Sequence, residues 1–265
     1  MQNRKPDSHK GQNGKVMVIG GSAMYHGAPI LCALGAEYSG VDLVFPFIPP
    51  CHAQVARTYS LNFIIQTFEK DHLSPKDVKR ILEFSKNVDV VVIGPGLGKE
   101  PNTVKAIKSI LNELDKPVVL DADALFYTNT LPKVTVLTPH RGEFKELTGD
   151  NPTLKNVQKW AKNLNATIIC KGHEDIIADK DRVAVNKTGN PLMTVGGTGD
   201  VLSGLIGGLM AQGYKPMEAC QIGANALGRA AESLASHQNS LRAQELAELM
   251  PKMLHSNIHE HNEQA

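Results

Sequence analysis

The chain has 265 residues, 42% of them apolar and 21% charged, with a formal net charge of +1. That balance fits a globular protein with ample core. It leaves no overall field to draw in nucleic acid or an anionic membrane, so any anion binding has to be local. No run approaches the ~20 apolar residues of a membrane span. The opening MQNRKPDSHKGQNG is polar and lacks the apolar stretch of a secretory signal. Cys32, Cys51, Cys170 and Cys220 are scattered with no CxxC, which suits a reducing, cytoplasmic setting. Cys32, Cys170 and Cys220 sit among apolar neighbours and read as small buried hydrophobes.

In chain order, 15–20 (KVMVIG) reads as a buried strand and 27–40 (GAPILCALGAEYSG) as a helix closed by glycine. Strands are predicted at 41–45 and 62–68. Serine followed by proline opens a helix at 74–87 (SPKDVKRILEFSKN). The near-continuous apolar run 88–94 (VDVVVIG) is that of a strand covered on both faces. Residues 101–114 read as a helix, and 154–164 as an amphipathic helix that uses Trp160 for packing. Segments 116–124 (KPVVLDADA), 133–140 (KVTVLTPH) and 166–172 (ATIICKG) each read as a strand running straight into polar residues. Beyond Gly199 the pattern is helical almost to the end, with breaks expected near Pro216 and Pro251. Strands alternating with helices predict an α/β fold, three layers α/β/α around a mainly parallel central sheet. One domain is expected over 1–265, with 1–14 and 256–265 as flexible tails. The ligand crevice of such a sheet lies beyond the carboxyl ends of its strands.

Five of these strands end in Gly, Asp, His or Lys: 18–22 (VIGGS), 92–98 (VIGPGLG), 120–124 (LDADA), 137–143 (LTPHRGE) and 170–175 (CKGHED). A parallel sheet brings all five to one edge. Any one of them reads as a turn; five together point to a site. The densest stretch is 189–213, GNPLMTVGGTGDVLSGLIGGLMAQG. Each glycine inside a helix costs roughly 1 kcal/mol relative to alanine, so these need a reason. Gly197, Thr198 and Gly199 precede apolar residues at helical spacing. A glycine turn there would present free N–H groups at the positive end of the helix dipole, an anion hole made of main chain. Asp200 within it is either a helix cap or a carboxylate, kept ionised by those amides, that serves as base toward a hydroxyl beside a bound phosphate. A cap alone gives no reason for the glycines. Gly204, Gly207 and Gly208 read as small residues that let the helix pack close to the sheet. GxxxxGK[ST] is absent, as is GxGxxG after the first strand, which excludes a Walker loop and disfavours a dinucleotide-binding Rossmann domain.

SHKGQNGKVMVIGGS, GPGLG, DADAL, TPHRGEF, KGHEDIIA and TGNPLMTVGGTGDVLSGLIGGLMAQG occur in this order over about residues 8–215. Together they closely resemble the ADP/ATP-dependent NAD(P)H-hydrate dehydratases of the ribokinase-like superfamily. The resemblance implies a repair reaction. The hydroxyl of (S)-NADHX or (S)-NADPHX is phosphorylated from ADP or ATP, phosphate leaves with help from the ring-nitrogen lone pair, and NADH or NADPH is restored. It implies Asp200 as the catalytic base in contact with substrate, and Ala28, Gly96 and His140 around the hydrated cofactor. It places Lys171, Gly172, His173, Glu174, Asp175 and Gly199 at the nucleotide, the amides of Gly197, Thr198 and Gly199 on the phosphoryl group in transit, and Mg2+ on the phosphates. Glu143 and Asn186 are either neighbours of metal water or phosphate, or a cap and a turn residue. Asp121 and Asp123 either orient water or metal, or only shape a turn. No metal ligand is assigned.

Some positions depart from the family pattern. Leu192, Thr194, Val195, Arg141 and Asp175 stand where glycine, alanine, threonine, proline and threonine are usual. They lie beside the expected nucleotide site, so the choice between ADP and ATP stays open. Residues 44–63 match poorly and are expected to form an altered substrate rim. The charge-poor stretches 201–212 and 216–230 point to a homo-oligomer, a tetramer among the options. The polar start leaves an NAD(P)HX epimerase to a separate chain. His255 and His259, one helical turn apart near the terminus, read as solvated rather than as metal ligands. The glycine turn and Asp200 would also serve a small-molecule kinase of the same superfamily, of the thiazole-alcohol or pyridoxal type, which TPHRGE and SHKG disfavour. A nucleotide sensor without turnover is disfavoured by Asp200.

Overall fold

In the computed structural model the described residues are 4–126 and 131–262, the last seven as backbone only. The apolar runs become β1 (Lys15–Ile19), β2 (Leu43–Ile48), β3 (Gln66–Thr67), β4 (Val90–Ile93), β5 (Val118–Leu120), β6 (Thr135–Leu137), β7 (Thr167–Cys170), β8 (Asp175–Ala178) and β9 (Val183–Asn186). They form one sheet in the order β3-β2-β1-β4-β5-β6-β7-β8-β9. Every pairing from β3 to β7 is parallel, and β8 and β9 add an antiparallel hairpin. The helices are α1 (Gly27–Tyr38), α2 (Ala53–Tyr59), α3 (Pro75–Ser85), α4 (Pro101–Glu113), α5 (Arg141–Thr148), α6 (Leu154–Leu164), α7 (Thr198–Ala211), α8 (Pro216–Ala235) and α9 (Ala243–Asn262).

Side-chain alternation splits the core in two. Val16, Val18, Val90 and Val92 face α1, α7, α8 and α9; Met17, Ile19, Val91 and Ile93 face α3 to α6. The expected three-layer α/β/α fold with a mainly parallel sheet is what is seen. Strand order reverses between β1 and β4: the chain leaves β1 toward β2 on one side and returns to β4 on the other. That switch point opens a crevice at the carboxyl ends of the two strands.

Several local expectations need correcting. The strand predicted at 62–68 reduces to Gln66–Thr67 and a lone bridge from Phe63 to Val44. The β8–β9 hairpin has no counterpart in the sequence reading, because its two four-residue strands sit at the sheet edge with Val183 and Val185 turned outward. Pro216 opens α8, as expected. Pro251 breaks nothing; it lies inside α9, where Leu246, Ala247, Met250 and Leu254 are buried on both sides of it. Tertiary burial there outweighs the missing N–H. The interruption falls at 236–242 instead. Trp160 packs in α6 and donates to Asp150 Oδ2 at 2.8 Å. Near the amino end, Asp42 accepts from the amides of Gly11 (2.7 Å) and Asn13 (3.0 Å) and pairs with Arg4. The reading of 1–14 and 256–265 as tails falls partly on residues 1–3 and 263–265, and His259 on an undescribed side chain; these lie outside the described residues.

Candidate functional site

Each parallel strand is stitched to its neighbour just where it ends. Gly94 N–H donates to Ile19 O (3.1 Å), Asp121 N–H to Ile93 O (3.0 Å), Thr138 N–H to Leu120 O (3.1 Å) and Lys171 N–H to Pro139 O (2.8 Å). The five strand ends therefore do gather along one edge. At the switch point, Gly21 N–H donates to Pro95 O at 2.8 Å and Ser22 Oγ to Gly96 O at 2.9 Å. Asp123 Oδ2 accepts from Gly98 N–H at 2.8 Å, so this carboxylate pins the GPGLG loop. Gly96 and Ala28 abut. A methyl placed on Gly96 would come within 3.2 Å of Ala28 Cβ and 2.8 Å of Tyr25 Cβ. His52 Nε2 lies 2.8 Å from Ser22 O, which ties the 44–63 segment to this rim. Beside it a cleft of about 310 Å³ opens between α1, α2 and the loop before α7, lined by His26, Gly27, Leu31, Tyr59, Val195 and Gly196. A larger hollow of about 750 Å³ lies away from the strand ends, among the charged residues Lys79, Glu83, Lys86, Glu113 and Asp115 between α3 and α4.

The glycine stretch resolves into two jobs. Gly197 turns the chain in a left-handed conformation (φ 99°) to start α7, and a side chain there would strike Leu31 and come within 2.9 Å of Ala243. The first bond of the helical ladder runs from Val201 N–H to Gly197 O at 3.0 Å, so the amides of Thr198, Gly199 and Asp200 come before it. The Thr198 hydroxyl donates back to the loop carbonyls of Met193 and Val195, holding the turn closed. Gly207 meets the sheet, 2.6 Å from Val92 Cγ2 for an added methyl, as expected. Gly204 and Gly208 correct the reading: they face α1, at Cys32 O and Ser39. The apolar run 201–210 is buried within the chain by these contacts, which accounts for its lack of charge without self-association.

Asp200 is half-buried at that helix start. Burial and, next, the Asp121 carboxylate raise its pKa to about 7, against the pull of Lys171; Asp123 and Glu143 add like charge. This corrects the expectation of a firmly ionised Asp200: desolvation and neighbouring carboxylates outweigh the helix terminus. A pKa near neutrality suits proton transfer. Lys171 is the cation among these acids. It donates to Asp121 Oδ1 at 3.0 Å, and the Thr138 hydroxyl donates to the same oxygen at 2.6 Å. Burial disfavours its charge, but Asp121, Glu143 and Asp200 together hold its pKa above the usual lysine value. Its Nζ lies beside Gly199, 3.0 Å from where a methyl would stand. Lysine, Asp200 and glycine turn thus meet as one cluster, built from strands and a helix far apart in sequence.

A family model described as NAD(P)H-hydrate dehydratase matches residues 16–252. The chain belongs to that family. It is similar to the bifunctional NAD(P)H-hydrate repair enzyme Nnr of Pyrobaculum aerophilum, 39% identical over 262 residues, covering 95% of this chain and 52% of that protein. It is also similar to an ADP-dependent (S)-NAD(P)H-hydrate dehydratase of Cenarchaeum symbiosum, 36% identical over 263 residues, 95% of this chain and 92% of that one. Among solved structures, the ADP/ATP-dependent NAD(P)H-hydrate dehydratase of Bacillus subtilis co-crystallized with ATP/Mg2+ superposes with a TM-score of 0.82 at 28% identity, over 96% of this chain and 93% of that one. The chain spans about half the length of the bifunctional relatives it matches.

Within this NAD(P)H-hydrate dehydratase domain the other predicted residues fall into two sets. His140 and Glu143 form the amino-terminal cap of α5. His140 Nδ1 accepts from the amides of Gly142 (3.0 Å) and Glu143 (3.1 Å), and Glu143 Oε2 accepts from His140 N–H at 2.7 Å. These bonds make His140 Nδ1 an acceptor, and its Nε2 lies 3.6 Å from Glu143 Oε1. Replacing His140 with alanine is expected to cost about 1 kcal/mol of stability through the lost cap, read as a lowered denaturant midpoint, with serine recovering most of it. Asp175 and Asn186 shape the β7–β8 turn. Asp175 accepts from Gly172 N–H and from the Asn186 amide, both at 3.0 Å, and Asn186 also contacts Thr188. Of the two readings of Asn186, the turn is the one its bonds satisfy. His173 and Glu174 are exposed at the tip of that turn. Sequence reasoning missed Thr138, whose hydroxyl fixes Asp121, although its place two residues before His140 at a strand end was a signal.

Proposed function

We infer that this chain catalyses the nucleotide-driven dehydration of (S)-NADHX and (S)-NADPHX, restoring NADH and NADPH. One observation carries the reading: Asp200, poised near neutral pKa, sits in the glycine turn that opens α7 and beside Lys171, with the small-walled Gly96–Ala28 rim on the same sheet edge. In the reaction Asp200 takes the proton of the hydrate hydroxyl as its oxygen attacks the terminal phosphorus of ADP or ATP. The amides of Thr198 and Gly199 and the Lys171 ammonium meet the charge on the phosphoryl group in flight. The carbon–oxygen bond of the phosphate ester then breaks, and phosphate departs with the bonding pair as the ring-nitrogen lone pair forms an iminium. Loss of a proton from the adjacent ring carbon to the departing phosphate or to water restores the conjugated ring. ADP yields AMP and phosphate; ATP yields ADP and phosphate. Ala28 and Gly96 leave room for the hydrated ring, and the exposed His140 ring at the end of β6 hydrogen-bonds the substrate.

Among the described residues no three His, Cys, Asp or Glu side chains stand together to hold a metal. Mg2+ is commonly held by phosphates, water and one or two carboxylates rather than by a protein cage. The acidic rim fits that mode, with Glu143 placed to receive a metal-bound water; the bound ion would neutralise phosphate charge.

The test is incubation with hydrated NADH and with hydrated NADPH, with ADP and ATP in turn, following the near-ultraviolet absorbance of reduced nicotinamide. Absorbance should return in step with nucleotide consumed, require nucleotide, and stop on chelation of Mg2+. Unchanged hydrate alongside phosphorylation of a thiazole alcohol or pyridoxal would replace the dehydratase by a kinase.

A further inference from the structure

Around the glycine turn the charge is unbalanced. Asp121, Asp123 and Glu143 all act on Asp200, and Lys171 is the one cation among its main influences, already bonded to Asp121. A nucleoside diphosphate entering there brings further negative charge, which one paired lysine, the helix dipole and a phosphate-bound Mg2+ would share. A second cation stands one step further along the same edge. Arg141, the first residue of α5, lays its guanidinium across the main chain of Gly172. A methyl on Gly172 would collide with Arg141 Nε and come within 3.2 Å of Cζ and Nη2. A side chain at 172 would force the guanidinium to move from this place. Arg141 is exposed, its hydrogen bond to Glu174 O is long at 3.5 Å, and a guanidinium carries five donors in all. Its charge is felt by Asp175 and Cys170, at the mouth of the turn.

We propose that Arg141 is a nucleotide-binding residue whose guanidinium grips the phosphate next to the transferred one. This rests on the functional reading above, which puts the transferred phosphoryl group at the Thr198 and Gly199 amides beside Lys171. Gly172 follows Lys171 directly, so an arginine seated on it meets the next phosphate of the chain, and the planar fork matches two phosphate oxygens at once. Gly172, bare of a side chain, leaves the arginine in this place.

The experiment compares wild type with Arg141→Ala and Arg141→Lys. Calorimetric titration with ADP and Mg2+ should show affinity reduced about 10- to 100-fold in Arg141→Ala, the loss of a charge-assisted fork. Binding of adenosine, which carries no phosphate, should change less than about twofold. In the hydrate assay the nucleotide KM should rise by a like factor, with kcat within about threefold and hydrate KM unchanged. Arg141→Lys should lie between, since it keeps the charge and loses the fork. Unchanged ADP affinity in Arg141→Ala overturns the proposal. So does an equal loss for adenosine, which would mean a deformed turn, or a fall in kcat as large as the rise in KM, which would put Arg141 on the transferring group. If wild type binds ADP and turns over hydrate but Arg141→Ala matches it, the functional reading stands and this proposal alone falls. If wild type binds no ADP, both fall.

Discussion

Asp200→Asn is expected to lower hydrate turnover by about 10²- to 10⁴-fold, the usual span for removing a positioned base, while nucleotide affinity stays within a few-fold. Asparagine keeps the shape at the start of α7 and removes a negative charge that faces the nucleotide phosphates. Single-turnover kinetics with calorimetric ADP titration separate the two effects. Turnover within threefold of wild type would remove Asp200 from the chemistry. The pH profile belongs to the same expectation. With its carboxyl at about 7 in the folded chain, the base is half available near neutrality, and kcat/KM should climb through pH 7 on its acid limb.

Stability gives an independent check, with the opposite sign to activity. Unfolded, this carboxyl titrates near its ordinary 3.8; folded, at about 7. Between those values the folded chain holds a proton that the unfolded chain has released. Native stability therefore falls as pH rises across that window, and the whole cost remains above it. Asparagine carries no such cost. At pH 8 Asp200→Asn should melt a few degrees above wild type, about 1–2 kcal/mol after allowance for partial exposure. The gap should close as pH falls toward 4. A variant that melts lower than wild type at pH 8 would contradict the strained, half-buried carboxylate described here.

How far the sequence led depends on whether a feature is local. The VVVI of β4 needs only its own covering layers, and a serine–proline start at 74–75 announces α3 with its capping box between Ser74 and Asp77. The gathering of five strand ends follows from parallel alternation, so the cluster was legible before any coordinates. The proton affinity of Asp200 was not. It is set by burial and by Asp121, 79 positions upstream, and no spacing in the chain reveals that distance. The charge-poor α7 had the same difficulty. An apolar helix reads alike whether it meets another molecule or lies inside its own fold, and only the seating of α1 against it decides. Asn186 was ambiguous because an amide at a strand end can face ligand or backbone, and its partner Asp175 had been assigned to the nucleotide.

The largest structural effect is expected at Gly204. Here α1 and α7 touch main chain to main chain. A methyl on Gly204 would occupy the position of Cys32 O and crowd Ala36 N at 3.0 Å, while across the same crossing a methyl on Gly35 would fall on Val201 O. Neither neighbour is a side chain that can rotate away. Gly204→Ala must therefore push the helices apart, and ΔΔG should exceed the 1–3 kcal/mol of ordinary overpacking. Because Asp200 lies one turn before Gly204, the displacement also moves the carboxylate and the glycine turn relative to Lys171, so surviving folded protein should show reduced turnover. Gly223→Ala is the matched control. That glycine lies inside α8, and its added methyl meets only side-chain ends, Ile206 Cγ1 at 3.4 Å, Leu202 Cδ1 at 3.6 Å and Leu205 Cδ2 at 3.7 Å, which are ordinary contacts. Relief of the glycine penalty should leave this variant as stable as wild type or more so by up to about 1 kcal/mol. Urea denaturation of the pair decides it. Equal midpoints for Gly204→Ala and wild type would mean that α1 and α7 are not in backbone contact, and the glycines before and within α7 would again lack a reason.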